Sequence, residues 1–263
     1  CRLVIMLSVA AKIWEVTEEV CAFFDVHRAH NHECRVLFPS RYCKRQFIEF
    51  YDRSLRNSIL IVGMNPGPHG MGQTGCAFTD IPIVRAIIGN AVETKPAEQS
   101  PISVGRWTFD RGKGNRTEES ASRLWPACVD ALGQFASICK ADSDAYAVTA
   151  RHFTMINACP VLWLALNGTN VSAEDKQKRV VLETEHLARL HLYLQQIHDI
   201  LKPSIIVGVG NWADKQCHTA FLGHTKTPRI KMLHPSPIAG SPEKWRAAAM
   251  PVLHRALTQH YAT

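Results

Sequence analysis

Three short motifs carry polar side chains beside proline or glycine: Gly63-Met-Asn-Pro-Gly-Pro, Asn157-Ala-Cys-Pro and His234-Pro-Ser-Pro. An amide offers both acceptors and donors, and a neutral imidazole offers one of each. The amide of Asn65 could therefore hold a water molecule, and His234 could donate a hydrogen bond to an oxygen that gains negative charge. Turn chemistry alone explains Gly, Pro and Asn at any single position, but a turn does not require His234.

Each motif follows a short apolar run that predicts a buried strand; the four such runs are Ile59–Val62, Phe153–Ile156, Ile205–Val207 and Ile230–Leu233. Helical patterns occupy Ile81–Ile88, Ala121–Phe135, Val180–Leu201, Trp212–Phe221 and Pro242–Gln259. This alternation predicts an α/β fold with a parallel sheet covered on both faces. Ligands bind at the carboxyl ends of such strands, so the three motifs should meet in one crevice. Pro and Gly accumulate between Pro96 and Gly114, which predicts a long surface excursion.

Competing motifs lack an essential residue. Gly208-x-Gly210-x-x-Ala213 has the spacing of a dinucleotide fingerprint, but no acid follows about 20 residues later, so close strand–helix packing is the better interpretation. The Gly70–Gly75 segment has phosphate-loop spacing, but Cys76 stands where Lys is needed. The cluster of His27, His30, His32, Cys34 and Cys43 fits no standard metal site and is interpreted as a polar loop.

The chain has 263 residues and a net charge of +7, with 46% apolar and 20% charged residues. This composition excludes wholesale disorder, collagen and coiled coil, and no run is long enough for a membrane span. From Lys215 to the end there are seven Lys or Arg and one acid, Glu243, so +6 of the charge lies in the last 49 residues. This excess is either a solvated basic surface or the footprint of a phosphate backbone.

The nine cysteines are scattered without Cys-x-x-Cys spacing, which predicts reduced thiols in a nuclear or cytosolic protein that is not secreted. Leu3–Ala11 resembles the apolar part of a secretory signal, but the acidic Glu15, Glu18 and Glu19 favour an amphipathic helix. We expect an N-terminal helical or irregular segment over residues 1–40, followed by a single α/β domain over residues 41–263.

Together the motifs resemble those of a known family. Gly63-Met-Asn-Pro-Gly-Pro-His-Gly-Met-Gly-Gln-Thr-Gly75, followed by Phe78, resembles the first motif of the uracil-DNA glycosylase superfamily in its single-strand-selective monofunctional branch. His234-Pro-Ser-Pro237 is similar to the second motif and Asn157-Ala-Cys-Pro160 to the base-reading segment. Ser122-Arg123-x-Trp125 and Leu166-Asn-Gly-x-Asn170 also resemble that branch.

The resemblance implies a three-layer α/β sandwich with a central, mostly parallel four-stranded sheet. It also implies hydrolytic removal of uracil and of some 5-oxidised uracils, such as 5-hydroxymethyluracil, from single- and double-stranded DNA, without metal or cofactor. The base would be flipped into a pocket. The three motifs contain no Lys for a Schiff base, which favours water as nucleophile and cleavage without strand scission. We expect a monomer that acts on DNA in base excision repair and has no membrane partner.

By the same resemblance the catalytic residues are Asn65, which positions water, and His234, which donates to uracil O2. Phe78 would stack on the base, Asn157 would read its N3–H and O4, and the backbone at Gly67 and Met71 would hold a water near C5. The expected substrate-binding residues are Met64, Gly67, Met71, Phe78 and Asn157; the expected DNA-binding residues are Ser236, Ile238, Lys244 and Arg246.

Several positions depart from the branch pattern: His69 replaces an aromatic residue, Cys76-Ala77 replaces Val-Pro, and Thr79 replaces Gly. The segment Ile238–Lys244 is less polar than its counterpart, although Ile238 could wedge between bases. Two alternatives stay open at this point: a catalytically weak DNA-binding relative, and a small-molecule α/β enzyme that uses the same crevice.

Overall fold

The main sheet consists of four parallel strands, and each strand is formed by one of the four apolar runs of the sequence. The computed structural model describes residues 8–53, 58–89, 118–136 and 145–262, so the excursion expected between Pro96 and Gly114 lies outside the described residues. The strand order is β3-β2-β6-β7, with β2 at Ile59–Gly63, β3 at Phe153–Asn157, β6 at Ile205–Val209 and β7 at Arg229–Met232. Every residue of β2, β3 and β6 is buried, as expected of strands covered on both faces.

The register of the sheet brings the carboxyl ends of the strands level. Gly63 at the end of β2 pairs with Asn157 at the end of β3, and Val209 at the end of β6 pairs with Met232 on β7. The chain runs from β2 to β3 on one side and later returns to β6 on the other side, so the strand order reverses beside β2. Such a reversal opens a crevice outside the carboxyl ends.

Helices cover the sheet in two groups and make it the middle layer of the three-layer α/β sandwich expected from the sequence. One group contains α1 (Val9–Val26), α8 (Thr184–Leu201) and α9 (Gly210–Phe221), which pack on one another. The other group contains α6 (Glu119–Ala136), α7 (Ala145–His152) and α10 (Pro242–Ala262). Shorter helices complete the fold: α2 (Pro39–Tyr42), α3 (Lys44–Tyr51), α4 (Met71–Thr74) and α5 (Ile81–Ile88).

Two local details refine the sequence prediction. Helix α8 begins at Thr184 instead of Val180, because Glu183 and His186 form a reciprocal capping box. The Gly208 motif serves close packing, as predicted: a Cβ atom added at Gly208 would lie 2.6 Å from the Cα of Asp214 on α9.

A small antiparallel sheet was not predicted from the sequence. It has the order β1-β4-β5, with β1 at Cys34–Leu37, β4 at Leu162–Ala165 and β5 at Asn170–Val171. β5 contains only two residues, which is too short for a periodicity signal. Two of its strands, β4 and β5, follow the Asn157 motif along the chain, so the sheet positions the segment that follows β3.

Helix α1 confirms the amphipathic helix expected around Glu15, Glu18 and Glu19. Four of its buried residues, Ala10, Ile13, Val20 and Phe24, belong to the same hydrophobic cluster as the main sheet. The division of the chain near residue 40 stays a prediction. No described helix combines the length and apolarity needed to cross a membrane, and the described cysteines are all buried.

Candidate active site

Asn65 lies in the loop after β2, and the small sheet holds its side chain in place. Its Oδ1 accepts a hydrogen bond from the backbone N–H of Ala173 at 3.1 Å. Its Nδ2 donates to the carbonyls of Val171 and Pro66, each at 3.3 Å. Contacts on both sides of the amide fix its orientation, so Asn65 presents a rigid polar group.

Asn157 and Phe78 both press against the bare backbone of Gly63. A Cβ atom at Gly63 would lie 2.5 Å from Cζ of Phe78 and 2.7 Å from Oδ1 of Asn157, so only glycine leaves room for both side chains. Nδ2 of Asn157 donates to the sulfur of Met71 at 3.2 Å. This weak acceptor leaves the amide's capacity largely available to a ligand.

The backbone of Phe78 adopts a left-handed conformation, with a φ angle of 55°. Such a conformation is strained for a bulky residue and persists only where its surroundings enforce it. Here the indole Nε1 of the fully buried Trp125 donates to the carbonyl of Phe78 at 2.8 Å. Trp125, part of the motif Ser122-Arg123-x-Trp125, thus helps to hold the Phe78 ring at the site.

His234 enters the same crevice from the end of β7. The N–H of Ser236 donates to its carbonyl at 2.8 Å, and the indole of Trp245 donates to the carbonyl of Leu233 at 3.0 Å. A Cβ atom at Gly210 would lie 3.4 Å from the Cβ of His234, so the start of α9 passes close by. Burial lowers the pKa of His234 below its ordinary value, so the ring is neutral at pH 7 and keeps one donating nitrogen.

These side chains line one cavity of about 440 Å³, a size within the range of small-molecule sites. Of the eleven residues expected at the site, nine line it; they are Met64, Asn65, Gly67, Met71, Phe78, Asn157, His234, Ser236 and Ile238. The crevice predicted from the strand ends is therefore present. The role of each residue in it stays a prediction.

Lys244 and Arg246 do not line the cavity. Lys244 is exposed in the first turns of α10, and Arg246, two residues further on, forms an ion pair with Asp130 of α6. The charge of Arg246 is therefore shared with a carboxylate that lies outside the basic C-terminal segment. Arg229 is paired in the same way with Asp214. The basic surface is weaker than the sequence count suggests.

The rim of the cavity is a short turn, Pro237–Ala239, which Arg123 tethers from α6. The guanidinium of Arg123 donates to the carbonyls of Ser236 at 3.3 Å and of Gly240 at 3.0 Å, and its other edge binds the carboxylate of Glu119. Ile238 projects from this turn with 97% of its surface exposed. An apolar side chain so exposed on a tethered turn suits a contact with another molecule.

Four further residues line the cavity: Glu118, Ser120, Asn170 and Ser172. Asn170 belongs to the motif Leu166-Asn-Gly-x-Asn170 and could have been assigned from it. Glu118 precedes α6 in a segment without periodicity, so the sequence carried no signal for it. Burial, and secondly the nearby Asp80 carboxylate, raise the pKa of Glu118 to about 7.

Metal-ligand geometry occurs at two places among the described residues, both away from the cavity. His198, Asp199 and His224 converge, but hydrogen bonds from both imidazoles to Asp199 account for their arrangement. Glu183, Glu185 and His186 form the other group, in which Glu183 and His186 make the capping box of α8. The His27–Cys43 cluster considered from the sequence does not form a ligand group within the described residues.

Comparison with family models and with individual known proteins matches the chain to the same kind of protein. A family model described as the uracil DNA glycosylase superfamily matches residues 50–257. A mouse protein named single-strand selective monofunctional uracil DNA glycosylase is 32% identical over 198 residues, which cover 73% of this chain and 63% of that protein. A bovine protein of the same name is 30% identical over 198 residues, with 73% and 65% covered. The chain thus spans less than two thirds of these relatives' length.

The fold is also found in a solved structure. The crystal structure of the Pedobacter heparinus SMUG2 protein superimposes with a TM-score of 0.62 and 17% identity, covering 96% of this chain and 99% of the other. At that identity the likeness concerns the fold. The superposed part includes most of the chain beyond the residues that the family model matches.

Proposed function

This chain belongs to the uracil DNA glycosylase superfamily, and from that membership and the geometry of the cavity we propose that it is a monofunctional uracil-DNA glycosylase that initiates base excision repair. The observation that carries the proposal is the convergence of Asn65, Asn157, His234 and Phe78 on one cavity. Its substrates are uracil and 5-oxidised uracils in single- and double-stranded DNA. Its place of action is the nucleus, or the cytosol of a prokaryote.

The reaction needs a water on one side of the sugar and stabilisation of the leaving base on the other. As the N-glycosidic bond breaks, its electron pair leaves with uracil and the sugar becomes positive. The oxygen of water then bonds to the sugar carbon and releases a proton to the solvent, and the uracil anion takes up a proton from the solvent. Asn65 positions that water, because its amide is held by Val171 and Ala173 and carries no charge with which to deprotonate it.

His234 stabilises the departing base by donating a hydrogen bond to uracil O2 as negative charge develops there. The neutral ring suits this role, because it can donate without having to release a proton at neutral pH. Its lowered pKa keeps it neutral throughout the neutral pH range.

Asn157 recognises the base. Its carbonyl accepts from uracil N3–H, and its amide donates to O4; cytosine presents the reverse pattern and leaves both groups unpaired, at a cost of about 1–3 kcal/mol each. Phe78 stacks on the ring, which contributes about 1–3 kcal/mol. The backbone at Gly67 and Met71, with Met64 beside it, encloses a water near C5 that a hydroxymethyl group replaces and a thymine methyl does not.

The proposed DNA contacts come from residues at the rim of the cavity and at the start of α10. Ser236 offers a hydroxyl to a phosphate, and the exposed Ile238 fills the space that the flipped base leaves. Lys244 is exposed at the start of α10 and serves as a phosphate contact. Arg246 contributes less than Lys244, because it is already paired with Asp130.

The proposal is tested with oligonucleotides that each carry one uracil, 5-hydroxymethyluracil, cytosine or thymine. We expect free base from the first two and none from the others, with strand breaks only after alkali treatment. Borohydride should trap no covalent complex. A trapped complex, or strand breaks without alkali, would contradict the monofunctional mechanism. DNA binding without base release would favour the alternative, a catalytically weak DNA-binding relative.

A further inference from the structure

Glu118 is the one carboxyl among the described residues that line the cavity, and the proposed chemistry does not use it. Its two oxygens lie over the backbone of Gly67: a Cβ atom there would be 3.0 Å from Oε2 and 3.1 Å from Oε1. At Gly70 an added Cβ would be 2.9 Å from Oε2. The two glycines therefore leave a slot that the carboxyl of Glu118 fills.

Among the described residues, the charged groups around Glu118 do not favour its ionised form. Asp80 caps helix α5 through the N–H of Ile83 at 3.1 Å and accepts the backbone N–H of Glu118, which places a second carboxylate nearby. Glu119, the next residue, is also acidic. Arg123 binds the carboxylate of Glu119 and the carbonyls of Ser236 and Gly240.

Two imidazoles share the surroundings of Glu118. His234 lines the same cavity and is neutral at pH 7 because burial lowers its pKa. His69 lies in the loop between Gly67 and Gly70. The hydroxyl of Ser120 donates a hydrogen bond to the Glu118 carboxyl.

We propose that Glu118 works as a neutral carboxylic acid, whose O–H faces the base-binding cavity and whose ionisation switches excision off. This inference rests on the proposed function. The base leaves as an anion, and a carboxylate on the cavity wall would repel it in a medium where charges are weakly screened. The neutral acid removes that repulsion and adds a donor, and no proton needs to be transferred.

The pH at which Glu118 ionises fixes the pH range in which excision is lost, and the activity of the protonated form fixes the direction of the change. Burial raises its pKa to about 7, so the active, protonated fraction falls about tenfold per pH unit above that value. His234 stays neutral over the same interval, so this loss belongs to Glu118. A general base would behave in the opposite way, since its activity would rise through the same pH range.

The test is the single-turnover rate of uracil release between pH 6 and pH 9.5 for the wild type and for Glu118→Gln, which mimics the neutral acid. We expect the wild-type rate to fall roughly 50-fold from pH 7 to pH 9 and the variant rate to change less than about threefold. Glu174→Gln removes one exposed acid and serves as the charge-matched control, with the wild-type profile.

Parallel profiles for the wild type and Glu118→Gln would overturn the inference, as would a folded Glu118→Gln inactive at every pH. A wild type without activity at any pH would refute the proposed function instead. In that case the pH dependence of urea unfolding tests the protonation state of Glu118 without any need for enzyme activity. Because its folded pKa exceeds that of the unfolded chain, wild-type stability should fall between about pH 4.5 and pH 7. Glu118→Gln should lack this fall, and equal falls in both proteins would refute the protonated state.

Discussion

At the scale of single residues, the cavity depends on small groups that make room for large ones. Gly63 admits Phe78 and Asn157, and Gly67 with Gly70 admits Glu118. The polar groups are then fixed by backbone partners, as Asn65 is by Val171 and Ala173. The motif around Asn65 could be assigned from the sequence because its residue types are distinctive. Glu118 could not, because one acid before a helix differs from other surface acids only by its tertiary burial.

Gly63→Ala should abolish the arrangement of the Phe78 and Asn157 side chains at the cavity. The new methyl group would overlap Phe78 and Asn157, and we expect uracil release to fall at least 30-fold, with a stability loss of about 1–3 kcal/mol. The measurement is the single-turnover rate, with urea unfolding for stability.

The matched control is Ile59→Val at the other end of β2, which should cost about 0.5–1.5 kcal/mol of stability and leave the rate unchanged. If Gly63→Ala releases uracil at the wild-type rate, the close packing around Gly63 has no functional role.

At the scale of elements, the parallel sheet brings motifs from distant parts of the chain to one edge. The four strands could be predicted because β2, β3 and β6 are fully buried apolar runs and because β7, in which buried and exposed residues alternate, leads into the distinctive His234 motif. The small sheet could not be predicted, because β5 has only two residues and its pairing with β4 depends on the tertiary fold and not on the local sequence. The start of α8 was misplaced because apolar residues precede its cap, where Val180 forms a bridge with His30.

Arg123→Met should loosen the turn that carries Ile238. The variant keeps the buried stem of the side chain but loses the hydrogen bonds to Ser236 and Gly240. Hydrogen bonds to a charged group contribute about 1.5–3 kcal/mol, so we expect affinity for uracil-containing DNA to fall roughly tenfold. Fluorescence anisotropy measures the affinity. Every protein compared also carries Asn65→Ala, so that uracil is not excised during the measurement.

Arg45→Met removes an exposed ion pair with Glu49 on α3 and should leave DNA affinity unchanged. Equal affinities for the Arg123 and Arg45 variants would show that the tether is not needed for DNA binding.

At the scale of the whole molecule, the positive charge is concentrated in one segment of the chain. The last 49 residues hold most of the +7 charge, and they include His234, the rim and the start of α10. The sequence alone overstated this field, because Asp130 and Asp214, which neutralise Arg246 and Arg229, precede the segment in the chain. Pairing across elements is visible only in the folded structure.

DNA binding should therefore weaken with salt, and Lys244 should contribute more to that dependence than Arg246. Lys244→Ala should reduce the slope of log affinity against log salt by about one, whereas Arg246→Ala should reduce it by less. Lys12→Ala on α1, at the other end of the chain, is the control with no expected change. Equal slopes for the three variants would contradict a phosphate contact at Lys244.

The central claim is that one cavity excises uracil by positioning water with Asn65 and stabilising the leaving base with His234. The most direct test is release of free uracil from a single-stranded oligonucleotide under single-turnover conditions, with Asn65→Ala and His234→Ala compared with the wild type. We expect each substitution to lower the rate at least 100-fold, by roughly 2.7 kcal/mol or more in transition-state stabilisation, while thermal unfolding stays cooperative. Undiminished uracil release by both variants would contradict the claim.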